Sequence, residues 1–263
     1  MTMKLMSYPH LLAIAFLAAA IAMAYPSAGA ESSQREDFIA GRIKECPGCD
    51  LSGANFKRRD LTGANLAGAN LRDADFHDAR LIGAKLAGAD FSGANLNKAN
   101  LSRADAAGAK LNEAMLYGAI LDAAKLAGAD FSEALMGTAR FLRSDLAKAT
   151  LRNADMRKTR LDNAVLTGAD LTGAALDQAM LRDAKFENAV LAETRLMGAD
   201  MTGAKLTGAD LTDADALRAN LRGADLSGAN LAAANLRQAN LYEAKLDGAI
   251  YRATIMPDGT KEP

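Results

Sequence analysis

The chain has 263 residues, half of them apolar, with no Trp, 22 Gly, five Pro and a formal net charge of −1. That balance argues against a protein held to nucleic acid by phosphate charge, and equally against a strongly acidic mimic of nucleic acid. The length suits one sizeable soluble unit, and the composition is biased toward Ala and Leu.

In chain order, the first element reads as a secretory signal peptide over residues 1–30. Lys4 precedes an apolar run from Leu11 to Ala24, too short for a comfortable membrane span, and Ala28-Gly29-Ala30 is a small-x-small cleavage site. No Asp or Glu occurs before Glu31, and no Cys follows the site that would mark a lipoprotein. Cleavage after Ala30 predicts a periplasmic or secreted protein with no membrane span left; an uncleaved anchor is the other reading.

Residues 31–49 form the next unit. Phe38, Ile39 and Ile43 lie among polar residues at spacings that a helix aligns, so a short amphipathic capping helix is predicted over Glu31 to Lys44. Cys46-Pro47-Gly48-Cys49 follows. Haem attachment needs His where Asp50 stands, a zinc site needs four ligands where the mature chain offers two Cys and one His, His77, and a thioredoxin-type pair wants a βαβ context. A disulfide between Cys46 and Cys49 in an oxidising compartment fits best, with an exchangeable thiol pair as the alternative.

From Leu51 to Tyr251 every fifth residue is large and apolar without a slip of phase, the only small ones being Ala106 and Ala216. From Ala54 to Ala249 the residue two before each is Ala, except at Arg59, Ser144, Thr159 and Thr194. A period of five suits neither helix nor flat strand: on a helix the series turns by about 140° per step, and on a strand it alternates faces. A chain that turns a corner every five residues puts the whole series inside. Four corners close a coil of twenty residues, and the repeats amount to about ten coils stacked about 4.8 Å apart.

Units such as Ala64-Asn65-Leu66-Ala67-Gly68 and Ala169-Asp170-Leu171-Thr172-Gly173 resemble the pentapeptide-repeat family. The resemblance implies an all-β fold, a right-handed quadrilateral parallel β-helix over residues 50–256, ending in a tail at 257–263. It also implies a possible role as a DNA-mimicking modulator of type II topoisomerases such as gyrase, which the export signal and near-neutral charge oppose.

Residues twenty apart then form columns on the outer surface. Asn65, Lys85, Asp105, Lys125 and Asp145 alternate in charge, which reads as tuning of the stack. A locally basic patch gathers Arg103, Arg140, Arg143 and Arg160, a candidate surface for an anionic envelope polymer. Met115, Tyr117, Ile120, Leu135 and Leu142 all fall at outward positions, and clustered exposed apolar residues are the best candidate for a partner site. The partner is a protein, a second copy of the chain included; nucleic acid is disfavoured. A rod filled with Leu, Phe and Ala offers no convergent catalytic groups, so the sequence predicts no enzyme, catalytic residue, metal or cofactor.

Overall fold

The structure, a computed structural model, describes residues 28–262, with residues 28–32 described by backbone alone. The signal-peptide reading thus falls mostly outside the described residues. Its small-x-small site does not: Ala28–Ala40 is a single helix, α1, so the expected cleavage point lies in the first turn of that helix.

The helix ends earlier than predicted. Gly41 takes a φ of 78°, its amide donates to the Phe38 carbonyl at 3.0 Å, and the Arg42 amide donates to the Asp37 carbonyl at 2.9 Å. This paired closure stops a helix wherever a glycine in the left-handed region follows it. Ile43 therefore lies outside the helix, and Ile39 is exposed. Among the described side chains of α1, Phe38 is the one apolar residue fully buried; it sits edge-on to Phe56 at a centroid distance of 5.7 Å and plugs the open core. Around it, Gln34 Nε2 donates to the Glu45 carbonyl, Arg35 Nε to that of Asp50 and Lys44 Nζ to that of Thr62, satisfying acceptors that the first coil leaves open.

After α1 the described residues form no extended strand. Instead one residue in five pairs in an isolated parallel bridge with the residue twenty further on, from Glu45 with Asn65 to Asn235 with Ile255. Each repeat has the same anatomy. An inward Ala, an outward bridge residue and an inward Leu form one side of the coil, as in Ala64, Asn65 and Leu66, and two further residues form the corner. The amide of each inward Ala closes the corner on the preceding Leu, as Ala69 does to Leu66 at 3.0 Å, while the Leu and second corner amides donate to the next coil. The second corner residue has positive φ throughout, which is why Gly recurs there and why non-Gly residues such as Arg103 (59°) and Arg143 (58°) carry some strain.

The interior is one continuous column of buried Leu, Phe, Met and Ala. Phe56 and Phe76 stack in neighbouring coils at 4.9 Å. The exceptions to Ala are accommodated without a buried orphan: the hydroxyls of Ser144, Thr159 and Thr194 donate to the carbonyls of Phe141, Met156 and Leu191. Arg59 reaches out past the Phe56 ring at 5.6 Å. At the far end Leu241, Leu246, Tyr251 and Met256 are only partly buried, and the chain folds back through an antiparallel bridge between Ile255 and Lys261.

Candidate interaction surface

The corners explain what the outward bridge residue is for. Where it is Asp or Asn, its Oδ1 accepts the amide of the first corner residue two places on, as Asp60 does from Thr62 at 3.0 Å and Asp75 from His77 at 2.9 Å. This satisfies a donor that the coil-to-coil ladder does not use. Neighbouring members of a column also pair, as Asn95 Nδ2 does with Asp75 Oδ1 at 2.9 Å.

Each column has places without Asp or Asn, but one sets two large apolar residues next to each other: it runs Asn55, Asp75, Asn95, Met115, Leu135, Asp155. Met115 is 37% and Leu135 51% exposed. The Tyr117 corner amide, deprived of a local acceptor, takes Asn97 Oδ1 from the coil before at 2.8 Å. The corner after Met115 is thus closed from the neighbouring coil and not by the Met115 side chain.

Beside them the corner column reads Asn97, Tyr117, Gly137, Arg157. The Tyr117 ring lies over Gly137 so closely that a β-carbon there would stand 3.3 Å from the ring. Tyr117, Gly137, Thr138, Asp155, Arg157 and Lys158 line a shallow cleft of about 300 Å³. On its far wall Arg157 grips Asp155 with two guanidinium bonds, 2.8 and 2.5 Å. Those bonds hold the Asp155 carboxyl below its usual range and raise Arg157. The site is an apolar shelf, an aromatic wall and a cationic rim.

The structure divides the residues that sequence grouped together. Met115, Leu135 and Tyr117 meet on one side and its corner; Ile120 is a half-buried bridge residue on the next side, and Leu142 stands at the corner beyond it. Arg140 and Arg160 bridge each other on that second side, while Arg103 and Arg143 are corner residues. Arg140 pairs with Asp122 at 2.5 Å. Gly137, Arg157 and Lys158 were not anticipated, although Gly137 lies twenty residues after Tyr117, a signal that column arithmetic contains. Cys46 and Cys49 are joined by a disulfide across the first corner, with Cys46 buried in the core beneath α1. Among the described residues no group of His, Cys, Asp and Glu could hold a metal, and no helix is long and apolar enough to cross a membrane.

The sequence matches the family described as pentapeptide repeats over residues 49–88, 84–122, 124–163, 144–183, 180–215 and 218–250. The chain belongs to the pentapeptide-repeat family. Among solved structures it is similar to HetL, a pentapeptide repeat protein involved in heterocyst differentiation regulation from the cyanobacterium Nostoc sp. strain PCC 7120. That match has 31% identity and a TM-score of 0.56, and covers 86% of this chain and 97% of HetL. A pentapeptide repeat protein from the Arabidopsis thaliana thylakoid lumen is 28% identical over 45% of this chain and 73% of its own, with a TM-score of 0.30. The plasmid-mediated fluoroquinolone resistance protein QnrB1 is 22% identical over 78% of this chain and 92% of its own, with a TM-score of 0.40. No curated protein matches the chain. Pentapeptide-repeat proteins are generally non-enzymatic binding modules, and the repeat solenoid described above is of the HetL kind.

Proposed function

We propose that this protein is a non-enzymatic interaction module, a rigid right-handed, four-sided rod of about ten coils that docks a protein partner in the periplasm or as a secreted protein. The observation that carries this reading is the exposed pair Met115 and Leu135, two large apolar residues in adjacent places of one bridge column beside the Tyr117 ring. Exposed apolar side chains that cluster, as these do with Tyr117, mark a surface for contact with a partner. The cleft beside them selects a partner segment with an apolar side chain next to an acidic one, the first for the Tyr117 wall and the second for Arg157 and Lys158. Support for export comes from Lys4, the apolar run and Ala28-Gly29-Ala30, together with a disulfide of the sort that persists in oxidising compartments.

The test places a photo-cross-linking amino acid at Tyr117, and in a control at Arg237, in the same corner column near the far end of the rod. A cross-linked protein formed from Tyr117, absent from Arg237, and lost on Met115→Asp with Leu135→Asp in a still-folded rod is the expected result. Equal cross-linking from both positions, or indifference to the double substitution, overturns the reading. Amino-terminal sequencing of the native chain tests export: a start at Glu31 is expected, and an uncut chain refutes it.

A further inference from the structure

The second side of the rod carries a different site. Leu142, Arg143, Arg160, Asp162, Asn163 and Arg182 line a groove of about 420 Å³. Three features set it apart from an ordinary solvated face. Arg140 and Arg160 bridge each other directly, a like-charged step that costs stability in a parallel stack. One other step is like-charged, Lys185 over Lys205, whereas opposite charges meet at steps such as Lys125 over Asp105, at 3.4 Å.

The second feature is that the cations are incompletely neutralised. Arg182 is shared between Asp162 at 3.4 Å and Asp200 at 3.1 Å, but the carboxylate nearest Arg160 is Asp162 Oδ2 at 3.7 Å, beyond hydrogen-bond reach. Arg143 has no ion-pair partner among the described residues. The third feature is that Asp162 Oδ2 is buried and receives no hydrogen bond. A buried carboxylate oxygen left without a donor is expensive, and it marks a place where a donor from outside would be held.

A simple anion satisfies the arginines but is repelled by Asp162. A neutral sugar satisfies Asp162 but leaves the arginines. A ligand that presents both a carboxylate and hydroxyl groups satisfies every wall: the carboxylate accepts from Arg143 and Arg160, a hydroxyl donates to Asp162 Oδ2, the Asn163 amide takes a further hydroxyl, and Leu142 packs against the ring carbons. We propose that this groove binds a carboxylated sugar unit, free or within an acidic polysaccharide. The site is independent of the docking cleft and does not rest on it.

The experiment titrates the full chain with galacturonate, polygalacturonate, dextran and polyphosphate at low and at physiological salt. Binding of the carboxylated sugars and not of dextran is expected. Binding of galacturonate itself assigns a single-sugar site, and binding of the polymer alone assigns a polysaccharide surface. Asp162→Asn decides between recognition and bare charge. It removes one negative charge, so charge sensing tightens binding, whereas loss of a hydroxyl bond to a carboxylate weakens it by roughly tenfold or more. Arg143→Gly suits the positive φ at that corner, so the rod stays folded, and it weakens binding by roughly tenfold or more. Lys185→Ala removes a cation from the other like-charged step, Lys185 over Lys205, and leaves binding unchanged. Polyphosphate binding as tightly as polygalacturonate, Asp162→Asn tightening both, or no binding at low salt each overturns the proposal.

Discussion

Replacing Phe38 by Ala removes the plug of the amino-terminal end. Phe38 is fully buried against Phe56, and truncation of a buried Phe costs about 3 to 5 kcal/mol. Among the described side chains, what remains to hold α1 is chiefly its two exposed bonds, from Gln34 and Arg35, each worth about 0.5 to 1.5 kcal/mol. A 13-residue helix is marginal by itself, so the loss exceeds what the remaining contacts supply and the cap opens. In a solenoid each coil leans only on its neighbours, so the damage stays local. Hydrogen exchange followed by mass spectrometry reads it: amides of α1 and of the first coil, such as Cys46 and Leu51, lose protection, while those of central coils, such as Leu121 and Leu161, keep theirs. Phe38→Leu is expected to show a smaller effect of the same pattern. Protection lost evenly along the rod, or an unchanged cap, refutes the plug.

Three further outcomes follow from the same geometry. Gly41→Ala keeps the helix sequence but forces a β-carbon into the left-handed region and onto Arg59 Nη2, which would lie 2.6 Å away. It destabilises the cap by about 1 to 2 kcal/mol, and unchanged hydrogen exchange in α1 refutes this. Ala106→Leu, between Leu86 and Leu126 in its column, restores a side chain whose absence costs roughly 2 to 5 kcal/mol if the space stays empty. Its melting temperature rises; a fall shows that neighbours already fill the site. Stability also falls in acid. Asp50 is held below its usual range first by the hydroxyl bond from Ser52, and Asp155 by its bonds from Arg157. At Asp90 burial opposes the shift, but Ser92 and Arg72 outweigh it. Depressed folded pKa values stabilise the rod above the unfolded value, and that contribution disappears as the groups protonate, so melting temperatures hold near pH 7 and drop below about pH 4. A flat profile down to about pH 3 contradicts the corner role of these carboxylates.

Legibility from sequence was highest where one physical requirement repeats. A large apolar residue every fifth place and Ala two before it fill a core of constant cross-section, so the inward set from Leu51 to Tyr251 and the stacking of Phe56 on Phe76 follow from phase alone. The twenty-residue columns follow from the same count. What sequence could not decide was how neighbours on the surface share their hydrogen bonds. Whether α1 ends at Ala40 or runs on to Lys44 depends on Gly41 adopting positive φ beneath the Arg59 head. Whether five apolar residues form one patch depends on which side of a corner each bridge residue faces, and the corner separates Ile120 and Leu142 from Met115, Tyr117 and Leu135. The groove around Asp162 is likewise tertiary, because its orphan oxygen is a property of where Arg160 and Arg182 come to rest. Periodicity determines which side chains are inside, since burial is decided by position within each repeat; the tertiary structure decides what the outside can hold, since that depends on contacts between coils.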